Sequence, residues 1–345
     1  MAASGGKKAT TEKYSLLGNE YFVTAVLNDG RLLHLENIAE NIAWEENESE
    51  LAVRLNLTIR DIPFENSRIS KQLKLCTVVY LYAKWSGDPE KREIFRGTIW
   101  EWEHSQTNDD AVIITCYDLL YYLQKSTDSK YYAKGKKTGE ICKDILESWS
   151  VPLYEYTGPS ISHEKTLYKN KTISTMLTET LDEAKKKTGT KGIIRAVAGK
   201  CRIITRGTND TIWNFTASSN LVSASDKYSM VNLVTRIKIT GKDDKEGRPK
   251  VEATVDGKIE YGILQQVKSK GSSSLEDAKK EAQETIDEKG TPERTTTLVA
   301  PDIPTLRKGD LIHVKTDKMK GYFYVKGVSH NATAATMQME VEPYE

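Results

Sequence analysis

Ser274-Leu275-Glu276-Asp277, Gly290-Thr291-Pro292, Thr295-Thr296-Thr297-Leu298-Val299, Pro304-Thr305-Leu306-Arg307-Lys308-Gly309-Asp310-Leu311-Ile312-His313-Val314, Gly321-Tyr322-Phe323-Tyr324-Val325-Lys326-Gly327-Val328-Ser329-His330 and Met337-Gln338-Met339-Glu340-Val341 follow one another within residues 271–341. The first is a capping-box-like helix start. Leu275, Ala278, Ala282 and Ile286 then recur at helical spacing until Gly290 and Pro292 end the helix. The four runs that follow have strand length and are broken at Pro301, Gly309, Gly321 and Asn331. A bounded helix followed by four short strands therefore predicts a β domain carrying one helix.

Working outward, residues 51–60 give the clearest half-buried strand. Every odd position is apolar, and Arg54, Asn56, Thr58 and Arg60 fall on the other face. Val53, Leu55 and Leu57 are expected to point into a core. Further strands are expected over 76–85, 94–104 and 111–117, with turns at Ser86-Gly87-Asp88-Pro89 and Thr107-Asn108-Asp109-Asp110, and short helices near 69–73 and from 117 to 123. Such a succession reads as an antiparallel barrel or sandwich.

Past residue 121 the period changes. Ile141, Ile145, Leu146 and Trp149 mark one amphipathic helix closed by Pro152; Ile173, Met176, Leu177, Leu181 and Ala184 mark another closed by Gly189. Residues 192–197 and 201–206 then form a hairpin. From Val231 the β pattern resumes, with strands expected at 236–239, 250–255 and 259–264 and a charged hairpin loop at Lys242-Asp243-Asp244-Lys245-Glu246-Gly247-Arg248.

The C-terminal order of helix, Gly-x-Pro, Thr-rich strand, P-x-L-x-x-G-D-x-I-x-V, G-x-Y-x-V-x-G-V-x-H and M-x-M resembles the C-terminal part of baseplate hub proteins of contractile phage tails. The likeness is to the XkdQ/YqbQ type of phages and tail-like bacteriocins of Gram-positive bacteria, related to the tail protein D class and to the hub part of type VI secretion spikes. Phe95-Arg96-Gly97-Thr98-Ile99 followed by Tyr117-Asp118-Leu119-Leu120-Tyr121-Tyr122-Leu123 is similar to the N-terminal succession of that family. The resemblance spans most of residues 14–345. It implies a mainly β, α+β fold: two tube-like antiparallel β-barrel domains at 14–120 and 226–345, the second with an inserted helix near 274–289, flanking a small α/β domain at 121–225. Residues 1–13 are expected to be a flexible polar N-terminus.

Length and composition bound the domain count and exclude several classes. With 345 residues, two or three domains are expected. The N-terminus lacks an apolar signal core and no run approaches a membrane span, so neither a membrane nor a Sec-exported protein is expected. Fifty Lys and Arg against 49 Asp and Glu leave no global field, which disfavours a dedicated nucleic-acid binder. Cys76, Cys116, Cys142 and Cys201 include no C-x-x-C, so reduced and mostly buried thiols are expected.

No constellation of residues points to catalysis. There is no G-x-S-x-G or Cys-centred signature. His313 and His330 fall in C-terminal strands and could be neighbours across a sheet, more simply as a structural pair than as ligands. His163-Glu164 lacks a second His, and Gly135-Lys136-Lys137-Thr138-Gly139 lacks the upstream Gly of a phosphate loop, so Thr138 reads as a helix N-cap. Glu101/Glu103 and Asp109/Asp110 are imaginable glycosidase acids. Glu101 and Glu103 alternate with Trp100 and Trp102, however, and read as the wet face of a strand whose tryptophans face the core or a partner. The basic cluster from Lys130 to Lys137 reads as a solvated loop. No catalytic residue, cofactor or metal is expected, and the protein is not expected to be an enzyme.

The resemblance also implies a role. Three copies would form a ring that adapts a sixfold tail tube to a threefold central spike and leaves a central channel. Partners would be further copies of the chain, the tail tube or its initiator ring, the spike, baseplate wedge proteins and the tape-measure protein, with no membrane and no sequence-specific nucleic acid. The place would be the tail baseplate of a virion or bacteriocin particle made in the bacterial cytoplasm. The competing classes are a tail-associated peptidoglycan hydrolase and a cell-wall-binding module, the latter suggested by 17 tyrosines and six tryptophans.

Overall fold

The computed structural model describes residues 18–85, 88–105, 110–243 and 246–344. The polar segment 1–13, Ser86-Gly87, Thr107-Asn108-Asp109 and Asp244-Lys245 lie outside the described residues. The chain forms two compact units, residues 225–296 and the remainder.

The larger unit is mainly β. Its strands Glu293–Pro301, Thr336–Pro343, Lys320–Asn331, Ala39–Glu46, Arg54–Arg60, Ala111–Asp118, Asp88–Ser105, Val78–Trp85 and Glu20–Val26 are hydrogen-bonded neighbours in that order. The first and last thirds of the chain thus share one sheet. The join is antiparallel, with Val328 opposite Glu46 and His330 opposite Trp44. Among the described residues no pairing closes this path into a ring.

Period-two burial explains the strands. Val53 and, along Arg54–Arg60, Leu55, Leu57 and Ile59 are buried together with Val79, Leu81, Ile99 and Ile114 in one core. Phe215, Leu298, Ile312, Val314, Val325, Met337 and Met339 build a second core on the C-terminal strands. Of the run 304–314, only Leu311–Lys315 is strand. The preceding residues form a loop that carries buried charges, which a regular strand pairing would leave without partners.

Helical segments at 121–125, 138–148 and 173–188 and two small sheets make a third core, while the short helix at 69–72 packs in the first. The helices α1 (Ile69–Gln72) and α2 (Tyr121–Lys125) are single turns; α3 (Thr138–Ser148) and α4 (Ile173–Thr188) are longer. Helix α3 buries Ile141, Cys142, Ile145 and Leu146, and α4 buries Met176, Leu177, Leu181 and Ala184, against Ile203 and Cys201 of the hairpin strands Gly192–Val197 and Lys200–Thr205. The Thr172 hydroxyl caps α4 by accepting the Thr175 N–H at 3.1 Å. At the other end Gly189 takes φ +72° and donates to the Lys185 carbonyl at 2.8 Å.

The smaller unit has its own core. Helix α5 (Leu275–Lys289) lays Ala278, Ala282 and Ile286 on Ile237 and Ile239 of the strand Arg236–Asp243, which Pro249–Asp256 and Gln265–Ser269 flank. The Ser274 hydroxyl caps α5 by accepting the Asp277 N–H at 3.1 Å. Residues 259–264 were expected to be a strand. They instead open with a single 3₁₀ turn, Ile259–Tyr261, and the strand begins at Gln265. Gly262 at φ +94° explains the break, since that conformation does not continue a ladder.

Candidate functional site

The residues weighed as catalytic candidates are scattered and individually explained. His313 lies opposite Tyr322, whereas His330 sits further along the same partner strand, opposite Trp44 and Met337. The two histidines are therefore not neighbours. Glu101 and Glu103 are exposed as expected, but the tryptophans do not share a face, because the register slips between Ile99 and Glu101. Trp100 is the bulged residue and packs on Tyr121 with ring centroids 4.7 Å apart, while Trp102 turns toward His104. Asp110 binds Arg68 at 2.9 Å; its neighbour Asp109 lies outside the described residues. Cys116, Cys142 and Cys201 are buried and Cys76 is exposed.

The Gly135 to Gly139 segment is bound to residues 161–163. Gly135 donates to the His163 carbonyl at 2.8 Å, and His163 donates back to Lys136 at 2.9 Å. Thr138 is not the N-cap. That position belongs to Lys137, whose N–H donates to the Glu140 carboxylate at 2.9 Å. The Thr138 hydroxyl accepts the Ile161 N–H at 3.0 Å and meets His163 Nε2 at 2.9 Å, and His163 Nδ1 meets Glu183 at 2.8 Å. Hydroxyl, imidazole and carboxylate in that order recur in hydrolase relays. Here the hydroxyl is wholly buried and already holds a backbone amide, so the group works as a clasp between the start of α3, residues 161–163 and α4. Lys130 and Lys134 pair with Asp144 and Glu164 on the surface.

A cluster that the sequence did not advertise lies where the cores of the larger unit meet. Glu46, Asp118 and Asp310 face Arg195, Arg307 and Lys308, and all but Arg307 are almost fully buried. Arg307 pairs with Glu46, and its Nη1 donates to the Ala196 carbonyl at 3.0 Å. Arg195 donates from Nε to the Lys308 carbonyl and from Nη2 to Asp310, both at 2.8 Å. The Lys308 ammonium spends its three donors on the carbonyls of Glu50, Leu51 and Asn47, at 2.6, 3.1 and 3.3 Å. Asp118 accepts the N–H groups of Val53 and Leu120, each at 2.9 Å.

Electrostatics within the cluster follow burial and pairing. Burial pushes Asp118 up to about 6, its two amides only partly opposing this. Burial also raises Asp310 in spite of Arg195. Burial opposes ionisation of Glu46 as well, yet Arg307 and Lys308 outweigh it and hold the carboxyl below its ordinary range. Three carboxylates against three cations leave the cluster neutral when ionised. It can therefore bind loops together without a net buried charge.

Among the described residues no group of three or more His, Cys, Asp or Glu side chains is arranged to hold a metal, and no helix is long and apolar enough to cross a membrane. The Lys308-Gly309-Asp310 turn is the one local cue to the charge cluster.

A family model described as YQBQ-like matches residues 42–342. No curated protein matches the chain. Among solved structures, a tail protein from Neisseria meningitidis matches with a TM-score of 0.62 at 12% identity, over 93% of this chain and 95% of that one. A prophage 43 kDa tail protein from Shewanella oneidensis gives 0.62 at 13%, over 93% and 97%. An Escherichia coli component of the type VI secretion system, itself described as similar to bacteriophage T4 tail proteins, gives 0.51 at 10%, over 89% and 74%. At these identities the likeness is one of fold.

Proposed function

The chain belongs to the YQBQ-like family and has the fold of phage tail proteins, and from that premise we propose that it is the structural hub of a tail baseplate. Three copies form a ring that joins a sixfold tube to a threefold spike around an open channel. The observation that carries the reading is the pair of separate β cores, one from strands near the N-terminus and one from strands near the C-terminus, built in a single chain. Two tube-like domains per chain, corresponding to 14–120 and 226–345, give six wall elements from three chains, with 121–225 outside the channel. The tube or its initiator ring, the spike, wedge proteins and the tape-measure protein are the partners, and the particle's baseplate is the location.

The role is structural and not enzymatic. Its test is the hub layer of purified particles, imaged and averaged without imposed symmetry. Three chains with two wall elements each are expected; six chains with one element each overturn the proposal. A zymogram on bacterial cell walls is expected to show no clearing.

A further inference from the structure

One cleft of the larger unit, about 390 Å³ in volume, borders the charge cluster, with Lys308 and Leu51 among its lining residues. Its wall brings together Lys191, Arg206 and Lys326 with the acidic residues Glu48, Glu50 and Asp182, next to the apolar side chains of Leu181 and Ile193. Each cation touches one carboxylate: Lys191 meets Glu48 of the cleft wall, while Arg206 meets Glu342, and Lys326 meets Glu340 at 2.6 Å. These carboxylates do not satisfy the group. The Arg206 side chain is nine-tenths buried, its guanidinium lies 4.0 Å from the Tyr324 ring centroid, and its Nε has no acceptor. An orphaned guanidinium N–H in a buried site is costly, and a carboxylate in the cleft would satisfy it. Burial, with Arg206 and Lys326 as cationic neighbours, also brings the Lys191 ammonium down to about 8 even beside Glu48.

We propose that this cleft binds a carboxylate-bearing peptide segment of a partner chain, with its acidic side chain on Arg206 and Lys191 and a neighbouring apolar side chain against Leu181 and Ile193. The chain's own Glu48, Glu340 and Glu342 show that carboxylate is the group these cations accept. The volume suits a few residues of peptide, and the apolar wall has no use for a bare inorganic anion. The proposal rests on the reading of the protein as an assembly component.

The test uses the full chain and a short fluorescein-labelled peptide of alternating Glu and Leu, read by anisotropy. The same peptide with Gln for Glu is the control and inorganic phosphate the competitor. Saturable binding is expected for the Glu peptide and not for the Gln peptide, weakened about tenfold by Arg206→Gln and by Lys326→Gln and unchanged by Lys143→Gln on α3. Lys326 is less buried than Arg206, so its variant keeps the test informative should Arg206→Gln fail to fold. Equal binding of the Gln peptide, full displacement by phosphate, or no binding overturns the proposal. None of these outcomes bears on the symmetry of the hub layer, so failure here and failure of the hub reading are distinguishable.

Discussion

The imidazole of His330 lies flat on the indole of Trp44, ring centroids 4.4 Å apart and planes 5° from parallel. Both ring nitrogens face acceptors: Nδ1 meets the Asp302 carboxylate at 2.6 Å and Nε2 the Leu306 carbonyl at 3.1 Å. The Asp302 carboxylate and the Leu306 carbonyl therefore hold the imidazole from both sides. Tyr21 also bonds Asp302, and Asn19 donates to its backbone carbonyl at 2.8 Å. The start of the strand Glu20–Val26 is thereby fastened to the C-terminal strands.

His330→Phe keeps a ring on Trp44 but leaves the fully buried Asp302 carboxylate with the Tyr21 hydroxyl and without its imidazole partner. It is expected to cost about 3–5 kcal/mol in urea unfolding, and adding Asp302→Leu should recover part of that loss. If the double variant loses as much as the two single losses added together, the pair is not acting as a coupled unit.

Asp118 sets a pH dependence. Its folded value of about 6 lies above the ordinary 3.8, so the folded state holds the proton more tightly than the unfolded chain. The sign follows: this group's stabilising contribution is full below about pH 4 and is lost as pH rises through about 6, a change of about 3 kcal/mol. Asp118→Asn cannot titrate. The stability gap between wild type and variant should therefore shrink from pH 4 to pH 7; a gap that is constant or widens would contradict the assignment.

Local patterns were legible in the sequence and distant pairings were not. The ends of α4 and α5 could be read from Gly189, Ser274 and Gly290, because a cap is chosen by residues three or four positions away. The buried face of Leu55 and Leu57 followed from the period of two. By contrast, Arg195 meets Asp310 across 115 residues and Lys308 reaches the Leu51 carbonyl across 257, and neither side of such a pair leaves a local signature. The bulge at Trp100 was invisible for a related reason, since an extra residue in one strand is defined only against its partner strand.

Two glycines that end helices should respond differently to alanine. Gly189 is left-handed with open space where a Cβ would stand, so Gly189→Ala should cost about 1 kcal/mol, from backbone strain alone. Gly290 has an ordinary φ of −86°, but its Cβ would fall against the carbonyl oxygen of Ile286, which accepts the Gly290 N–H at 2.6 Å. Gly290→Ala must therefore move the end of α5, and a larger loss is expected. Thermal unfolding that ranked Gly189→Ala as the worse variant would reverse this reading.

Lys308 offers the sharpest test of the charge cluster, because its ammonium faces three backbone carbonyls that turn through residues 47–51. Three carbonyls around one nitrogen suit the tetrahedral donors of an ammonium. They do not suit the flat fork of a guanidinium, so even the charge-conserving Lys308→Arg should destabilise, by about 2 kcal/mol. Lys308→Met removes the donors and also the cation that, with Arg307, keeps Glu46 ionised, leaving three carboxylates against two cations. About 3–5 kcal/mol is expected for that change. Burial makes the Lys308 ammonium easier to deprotonate than an exposed lysine, which tempers the cost of removing it at high pH. The readout is urea unfolding together with amide exchange at residues 47–51, where both variants should lose protection. Unchanged exchange there, whatever the global stability, would mean that Lys308 does not hold the turn.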